Sequence, residues 1–342
     1  MRRVGIYWQS LDEDSFAEWT TGGYTWDTDF ESHSLALFSQ ITHNLSSSTR
    51  LTIQLRGEYY EVDVAADGIG PDAYFAPTVP FDYSLDNDDT LWGGNITLVH
   101  DLDERTQVHA TFSRGYKAGG ASTPNFTGDG DITYDEETLY TVEAGVRSSF
   151  FEDTVDASLT VFYIYRDDPQ FRDSQGAGSF FDYITTNGDK AKHFGAEGEA
   201  TWHFARNWSL NGTVGILDSE RDRYTARGVD VDSRKLANAP DYTYSARVDY
   251  NPATGLFGSL ELVGSDNYYE SNSHAEKRSS FAVVNASIGY RYDNWTLSVW
   301  SKNLLDEEYE ERIFFFDNGF GDQRYESPAA PRTFGVTANY SW

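Results

Sequence analysis

Apolar and small polar residues alternate along the final segment of the chain, which ends on an aromatic residue. Phe334, Val336, Ala338, Tyr340 and Trp342 share one face of a predicted β-strand, because successive side chains of a strand point to opposite sides. Threonine, glycine, asparagine and serine occupy the other face. An apolar face opposite small polar residues is typical of a strand that meets lipid on the outside and water on the inside.

The same alternation recurs along the chain and predicts further strands. Apolar series begin at Tyr140, Val155, Phe194, Trp208, Tyr242 and Ala282. The opposite faces carry charged residues as well as hydroxyl groups, as the solvent face of a soluble sandwich also does. Alternation alone therefore leaves a soluble sheet and a membrane sheet both open.

Short and long connections alternate between the predicted strands. The short connections are residues 44–49, 102–105, 151–153, 205–207, 251–255 and 293–294. The long connections are residues 11–32, 63–91, 117–137, 218–240, 267–279 and 304–330. Transmembrane barrels combine tight periplasmic turns with long extracellular loops in this way. The sequence thus predicts an all-β, transmembrane, antiparallel up-and-down β-barrel fold, with about fourteen strands of roughly ten residues present and the first at residues 4–10.

Aromatic residues flank the predicted tight turns. Trp202, Phe204 and Trp208 surround one turn, and Tyr292 and Trp295 surround another. Aromatic side chains concentrate at both water–lipid boundaries of membrane barrels, so these residues are predicted to form a periplasmic girdle. Ordinary strand-end aromatics of a soluble sheet are the alternative.

The composition narrows the possible classes of protein. The 342 residues include 55 acidic and 26 basic side chains, a net charge of -29, and no cysteine. Nucleic-acid binding needs a basic surface and is not expected. No apolar run approaches the roughly 18 residues of a membrane helix, so any membrane span must be β. Residues 1–10 lack the apolar core of a signal peptide, which suggests that a signal was removed or that the chain begins within a longer protein.

Catalytic and metal-binding motifs are sparse, and we expect neither an enzyme nor a cofactor. Without cysteine there are no thiolate metal sites, and the histidines are scattered, with His109 and His203 on polar strand faces. Residues 129–131 begin like a calcium-binding loop, but Tyr134 and Tyr140 replace the glycine and glutamate that such a loop requires. We predict no metal site.

Five segments, in order, resemble the TonB-dependent outer-membrane receptors. They are residues 112–120 (FSRGYKAGG), 139–147 (LYTVEAGVR), 194–199 (FGAEGE), 302–309 (KNLLDEEY) and 331–336 (PRTFGV). The resemblance implies a barrel of about twenty-two strands with an amino-terminal plug. Residues 1–342 resemble the carboxyl-terminal portion of such a barrel, with the plug absent.

The resemblance also implies a location and a function. The chain is expected in the outer membrane of a Gram-negative bacterium, in contact with membrane lipid and lipopolysaccharide. There it would take up a scarce small-molecule ligand, a ferric siderophore or other iron complex, driven by the TonB complex acting on the plug. The barrel-assembly machinery is expected to recognise Phe334, Tyr340 and Trp342, although the family usually ends on phenylalanine. A passive channel of about fourteen strands and an extracellular β-rich adhesin or binding module remain alternatives.

The predicted extracellular loops contain the candidate ligand-binding residues. Residues 12–31 and 61–89 are acidic, which suggests either solvated loops bridged by divalent cations to lipopolysaccharide or a vestibule favouring cationic or neutral ligands. The loops also contain basic residues, which could bind an anionic ferric chelate, and aromatic residues, which could stack on a ligand. These candidates are Arg114, Lys117, Arg221, Arg223, Tyr268, Tyr269, Phe315 and Tyr325. Packing of the loops against one another is the alternative role of the aromatic residues.

Overall fold

A computed structural model describes residues 2–19, 24–71, 78–122, 133–174, 183–226, 229–272, 274–317 and 322–342. Regular structure in these ranges is entirely β, and they contain no helix long and apolar enough to cross a membrane. The strands are β1 (Arg2–Trp19), β2 (Tyr24–Asn44), β3 (Thr49–Pro71), β4 (Thr78–Asp101), β5 (Thr106–Lys117), β6 (Gly120–Ala121), β7 (Thr133–Tyr134), β8 (Glu137–Phe150), β9 (Val155–Asp167), β10 (Gln170–Ser174), β11 (Tyr183–Asn187), β12 (Lys190–Ala205), β13 (Trp208–Arg221), β14 (Tyr224–Ala226), β15 (Val229–Val231), β16 (Tyr242–Tyr250), β17 (Gly255–Ser265), β18 (Tyr268–Tyr269), β19 (Lys277–Arg278), β20 (Phe281–Tyr292), β21 (Trp295–Lys302), β22 (Glu310–Asp317), β23 (Asp322–Pro328) and β24 (Thr333–Tyr340).

One antiparallel sheet of 14 strands forms the body of the structure and confirms the predicted fold class and strand number. Its order is β1-β2-β3-β4-β5-β8-β9-β12-β13-β16-β17-β20-β21-β24, so each strand pairs with its neighbours in the chain. The remaining strands form five two-stranded hairpins, which stand in the long connections at one end of the sheet. That end is the predicted extracellular side.

Tight turns close the opposite end of the sheet where the sequence predicts them. Asn207 and Asp293, at the β12–β13 and β20–β21 turns, have positive φ angles of 67° and 50°. Asparagine and aspartate tolerate this left-handed conformation better than most residues, because their short polar side chains can bond the local backbone. The short connections therefore allow strands to reverse without a long loop.

Two of the predicted long loops are wrong. Residues 11–32 and 63–91 are mostly strand, since the β1–β2 ladder continues to the pair Trp19↔Tyr24 and the β3–β4 ladder to Pro71↔Thr78. Beyond the lipid, the outward face of the sheet meets water and no longer needs apolar residues, whereas the inward residues Val62, Val64 and Ala66 are buried. The outward apolar periodicity therefore stops while backbone pairing continues, and the first strand extends well past residues 4–10.

The outward face of the sheet changes from apolar to acidic at one level. Along β3, Leu51, Ile53 and Leu55 occupy this face near the turn end, and Glu61 and Asp63 occupy it farther out. On neighbouring β2 and β4 the same face changes from Leu35 to Glu31 and from Trp92 to Asp88. A lipid-exposed band followed by solvated carboxylates explains this change, and its upper limit marks the outer boundary of the membrane.

The aromatic residues at the turn end pack into a belt. Ring centres are 5.4 Å apart for Trp202 and Phe204, 5.9 Å for Phe204 and Trp208, and 4.8 Å for Trp208 and Tyr250. Aromatic rings with one polar atom favour the water–lipid boundary. This belt lies where the sequence predicts the periplasmic girdle.

Candidate ligand-binding mouth

A buried carboxylate fixes the extracellular end of β8. The Glu137 side chain is fully buried and accepts two hydrogen bonds from Arg166, at 2.5 and 2.8 Å, and one from the backbone N–H of Gln170, at 2.8 Å. Lys117 Nζ lies 3.9 Å from its Oε2. The bidentate guanidinium contact satisfies both carboxylate oxygens. These bonds hold together the beginning of β8, the end of β9 and the beginning of β10.

A buried arginine forms the centre of the packed loops. Arg221 is fully buried and donates to the backbone carbonyls of Asp232 and Asn272, each at 2.8 Å. Its guanidinium lies 4.9 Å from the ring centre of Tyr224, which packs with Phe171 in the apolar cluster of this region. Arg221 therefore holds loops together, and its burial does not fit direct contact with a ligand.

The two predicted stacking tyrosines are already engaged by cations of the loops. Tyr269 has the Arg234 guanidinium 4.5 Å and the Lys277 ammonium 4.8 Å from its ring centre. Tyr268 lies under Arg278, 5.0 Å away, and its hydroxyl accepts a hydrogen bond from the same arginine. Cation–π contacts of this kind stabilise loop packing, which favours the packing role over the stacking role for both residues.

The last hairpin, β22–β23, presents the remaining aromatic candidates. Tyr325 stacks on Phe314 with ring centres 5.3 Å apart and stays 38% exposed. The backbone of Phe315 pairs with Arg324, and its side chain lies outside the described part of the chain. Part of Tyr325 thus stays accessible to a ligand.

The basic candidates do not converge on one point. Arg223 pairs with Asp232 at 3.3 Å and its side chain remains 65% exposed. Lys117 stays beside Glu137, whereas the Arg114 guanidinium lies 4.3 Å from the ring centre of Trp92 on the outward face of the sheet. Arg223 therefore stays at the mouth, but Arg114 faces away from it.

Two of the cavities that the described residues form involve the packed loops that follow β9. The larger, about 670 Å³, lies beneath the loops and is lined by hydroxyl groups and aromatic rings. Its lining includes Thr213, Thr243, Ser245, Ser265, Tyr268, Phe281 and Tyr309. The smaller, about 340 Å³, lies between the loops and includes Arg172, Glu270, His274 and Arg312. Burial raises the pKa of Glu270, and the charge of Arg278 opposes that shift.

The inner wall carries polar networks that the sequence did not single out. The Gln54 amide donates to Gln40 at 3.2 Å and accepts from Asn95 at 2.9 Å, which links β2, β3 and β4. Farther out, Arg56 Nε donates to Glu58 and to the Tyr116 hydroxyl at 2.9 and 3.0 Å. Only the cross-strand register brings these residues together, so alternation along one strand could not reveal them.

Carboxylates stand opposite carboxylates on the outward face of β1–β4 above the apolar band. One cross-strand row consists of Asp12, Glu31, Asp63 and Asp86. In the next row, Asp14 stands opposite Asp29. Desolvation and then the charge of Asp14 raise the pKa of Asp29. Like charges directly opposite one another destabilise a strand pair. Charge repulsion therefore destabilises the β1–β2 hairpin at neutral pH.

Acidification is expected to strengthen the β1–β2 hairpin. The folded-state pKa of Asp29 is raised, so the folded state binds more protons than the unfolded state as the pH falls. The stability contribution is therefore largest below the unfolded value and declines as the pH rises through the folded value. Amide hydrogen-exchange protection factors of residues 12–19 and 24–31, corrected for intrinsic rates, should rise as the pH falls from 7 to 4.

Substitution of Asp14 tests the cause of this pH dependence. Asp14→Asn should raise protection at pH 7 and flatten the profile, because the facing charge is removed. Glu18→Gln is the matched control, since Glu18 faces Thr25 and not a carboxylate. A profile that Asp14→Asn leaves unchanged would contradict the assignment.

Potential metal ligands do not cluster in the part of the chain that the structure describes. No group of three or more histidine or acidic side chains is positioned there to hold a metal ion. The calcium-like residues 129–131 lie outside the described ranges.

The sheet, its lipid-facing band and its packed mouth define an outer-membrane β-barrel architecture, and known proteins share it. A crystal structure of the ferric yersiniabactin uptake receptor FyuA from Yersinia pestis superposes with a TM-score of 0.82 at 19% identity, covering 99% of this chain and 51% of that one. The siderophore receptor PiuA from Acinetobacter baumannii gives 0.71 at 17% identity, over 92% of this chain and 44% of that one. These likenesses establish the fold.

The family follows from sequence. Residues 2–304 match the family model "TonB dependent receptor-like, beta-barrel". The pesticin receptor of Yersinia pestis is 26% identical over 250 residues, which cover 70% of this chain and 35% of that protein. The chain belongs to the TonB-dependent receptor family, and its location is the outer membrane of a Gram-negative bacterium. It spans about half the length of these solved structures and about a third of the curated relative.

Proposed function

We propose that this chain forms the carboxyl-terminal part of the barrel of a receptor for TonB-energised uptake of a scarce ligand, a ferric siderophore or other iron complex. The observation that carries the proposal is the match of residues 2–304 to the barrel of this receptor family. FyuA and PiuA, which share its fold, are described as a ferric yersiniabactin uptake receptor and a siderophore receptor. The packed mouth supplies a cavity of about 670 Å³ on the inner side of the sheet, a size suited to a small molecule.

The lining of that cavity favours recognition of a polar chelate by hydrogen bonds and ring contacts. Hydroxyl groups of Thr213 and Ser245 line it together with the aromatic rings of Tyr309 and Phe281. Several cations of the described loops are already paired, for example Lys235 with Asp241 at 2.5 Å. Among the predicted ligand contacts, Lys117, Arg223 and Tyr325 keep accessible side chains and remain our candidates.

In this proposal, residues 1–342 form one barrel domain. The TonB complex acts on a plug that another part of the receptor supplies. Captured ligand passes along the inner wall when TonB displaces the plug. The assembly machinery recognises β24 together with Trp342, two residues beyond it. Phe334 and Trp342 are exposed, and Tyr340 packs on Trp295 with ring centres 5.0 Å apart. Each of these partner contacts is part of the proposal.

An uptake assay tests the function. In a strain lacking its own receptors, the complete receptor that contains this chain should support accumulation of radioactive iron from one member of a siderophore panel, and deletion of tonB should abolish it. Residues 1–342 expressed alone should give no energised uptake. Uptake that persists without TonB would instead indicate a passive channel, and uptake of none of the chelates would exclude iron as the cargo.

A further inference from the structure

The smaller cavity of the mouth, about 340 Å³, carries charges of both signs. Among its described lining residues are two arginines, Arg172 and Arg312, and two glutamates, Glu270 and Glu276. A ligand with a single charge would meet a group of its own sign in this cavity. A ligand that carries one positive and one negative group finds a partner for each.

Hydrogen bonds between separate loops hold the walls of this cavity. The backbone N–H of Asn238, in the connection before β16, donates to the carbonyl of Tyr269 in β18 at 2.7 Å. On another side, Arg278 Nε of β19 donates to the backbone carbonyl of Glu310 in β22 at 3.0 Å. The cavity is therefore formed before a ligand arrives, which lowers the entropic cost of binding.

The Glu270 carboxylate lacks a hydrogen-bond donor. Its side chain is 18% exposed, and Oε2 is closed off from solvent and accepts no hydrogen bond. Arg278 Nε lies 3.8 Å from Oε2, which is too far for a hydrogen bond. Burial raises the pKa of this carboxyl, and the charges of Arg278 and Arg312 oppose that shift. A buried carboxylate without a donor costs free energy, and a donor on a ligand would remove that cost.

The guanidinium of Arg312 is available on the other side of the cavity. Arg312 is exposed and forms neither an ion pair nor a hydrogen bond with a residue that the structure describes. Its guanidinium lies 5.8 Å from the ring centre of Phe314. Arginine presents five N–H donors in a planar fork that fits a carboxylate. This residue can therefore bind the negative end of a ligand.

We propose that this cavity binds a free α-amino acid with an apolar side chain, whose ammonium group donates to Glu270 and whose carboxylate accepts from Arg312. Its volume is at the lower end of the roughly 300–1,000 Å³ of small-molecule pockets, which suits a single amino acid. The apolar part of the lining contacts the side chain of the ligand and consists of Ala237, Ile313 and Phe314. This site is separate from the larger cavity assigned to the iron complex, and it does not depend on that assignment.

Ligand-observed NMR titrations of the complete receptor in detergent, without an iron complex, test this site. The probes are leucine, 4-methylpentanoate, which lacks the ammonium group, and 3-methylbutylamine, which lacks the carboxylate. Each analogue loses a charge-assisted hydrogen bond and should bind about tenfold more weakly than leucine. Absence of leucine binding, or equal affinity for leucine and 4-methylpentanoate, would overturn the proposal.

Two substitutions assign the two ends of the ligand. Glu270→Gln should weaken leucine about tenfold and leave 4-methylpentanoate unchanged, because that probe has no ammonium group. Arg312→Gln should weaken leucine to a similar degree and leave 3-methylbutylamine unchanged. Substitutions that weaken all three probes alike would contradict the assignment of the ends.

Glu308→Gln is the matched control, since Glu308 is an exposed carboxylate that lines neither cavity, and it should leave leucine binding intact. Heat-modifiable gel mobility reports whether each variant is folded. If Glu270→Gln does not fold, Arg312→Gln decides, because the Arg312 side chain is exposed. Leucine affinity that survives the loss of Arg312 would overturn the proposal.

Discussion

A lysine at Val214 is expected to destabilise the folded receptor by about 2–4 kcal/mol, because it places a charge on the lipid face near the middle of the membrane. Val214 is 47% exposed on the outward face of β13, opposite Tyr244 of β16. Reversible urea unfolding in lipid vesicles, followed by tryptophan fluorescence, measures this change in the free energy of unfolding.

The adjacent residue provides a matched control. Thr213 lies on the inner face, where its hydroxyl forms a hydrogen bond with Ser245 at 2.8 Å. Thr213→Lys places the same charge in a wet interior and loses one hydrogen bond, so it should be much less destabilising. The pair Val161→Lys and Thr160→Lys repeats the comparison on β9. Equal losses within each pair would refute the assignment of the two faces.

Replacement of Glu137 by glutamine is expected to destabilise the extracellular end by about 3–5 kcal/mol, because it leaves the partly buried Arg166 without its counterion. The wild-type carboxylate accepts hydrogen bonds from Nε and Nη2 of Arg166 and from the backbone N–H of Gln170. Hydrogen exchange should show loss of protection in β10–β11, and the affinity for the transported ligand should fall with it.

Glu143→Gln serves as the control on the same strand. The Glu143 side chain is 38% exposed and pairs with His109 at 3.1 Å, and partly exposed pairs contribute little to stability. It should leave both readouts near wild type. A Glu137→Gln protein that keeps full protection of β10–β11 would show that this carboxylate does not fix the hairpin.

The membrane-spanning part of the fold could be predicted from the sequence because contact with lipid requires a regular pattern of apolar residues along each strand. Every second side chain must be apolar, as in the series from Trp208 to Ile216, and the tight turns interrupt that rule at residues 205–207 and 293–294. Above the membrane the rule ends. The extensions of β1–β2 and β3–β4 lose their outward apolar residues, and on β3 the buried side chains are the inward Val62, Val64 and Ala66. An acidic segment such as 12–31 therefore gives no outward apolar period to detect.

The candidate site was harder to predict from the sequence, because its geometry depends on contacts between residues far apart in the chain. Arg221 is buried by Phe171 and by the carbonyl of Asn272, about fifty residues away on either side. The main hydrogen-bond acceptors of Arg221 are backbone carbonyls, and these cannot be predicted from residue types. Tyr269 is likewise engaged by Arg234 and Lys277 only after two loops pack together. Basic and aromatic residue types identified the loops that matter, but not the roles of these side chains.

The carboxylate rows of β1–β4 also affect how fast a ligand arrives. Asp12, Glu31, Asp63 and Asp86 project a negative field into the solvent beside the mouth. That field reaches about 10 Å at 0.1 M salt and about 3 Å at 1 M. An anionic chelate should therefore associate faster as salt is added, whereas a cationic chelate should associate more slowly. The salt dependence of the association rate constant thus reports the charge of the cargo without knowledge of its structure.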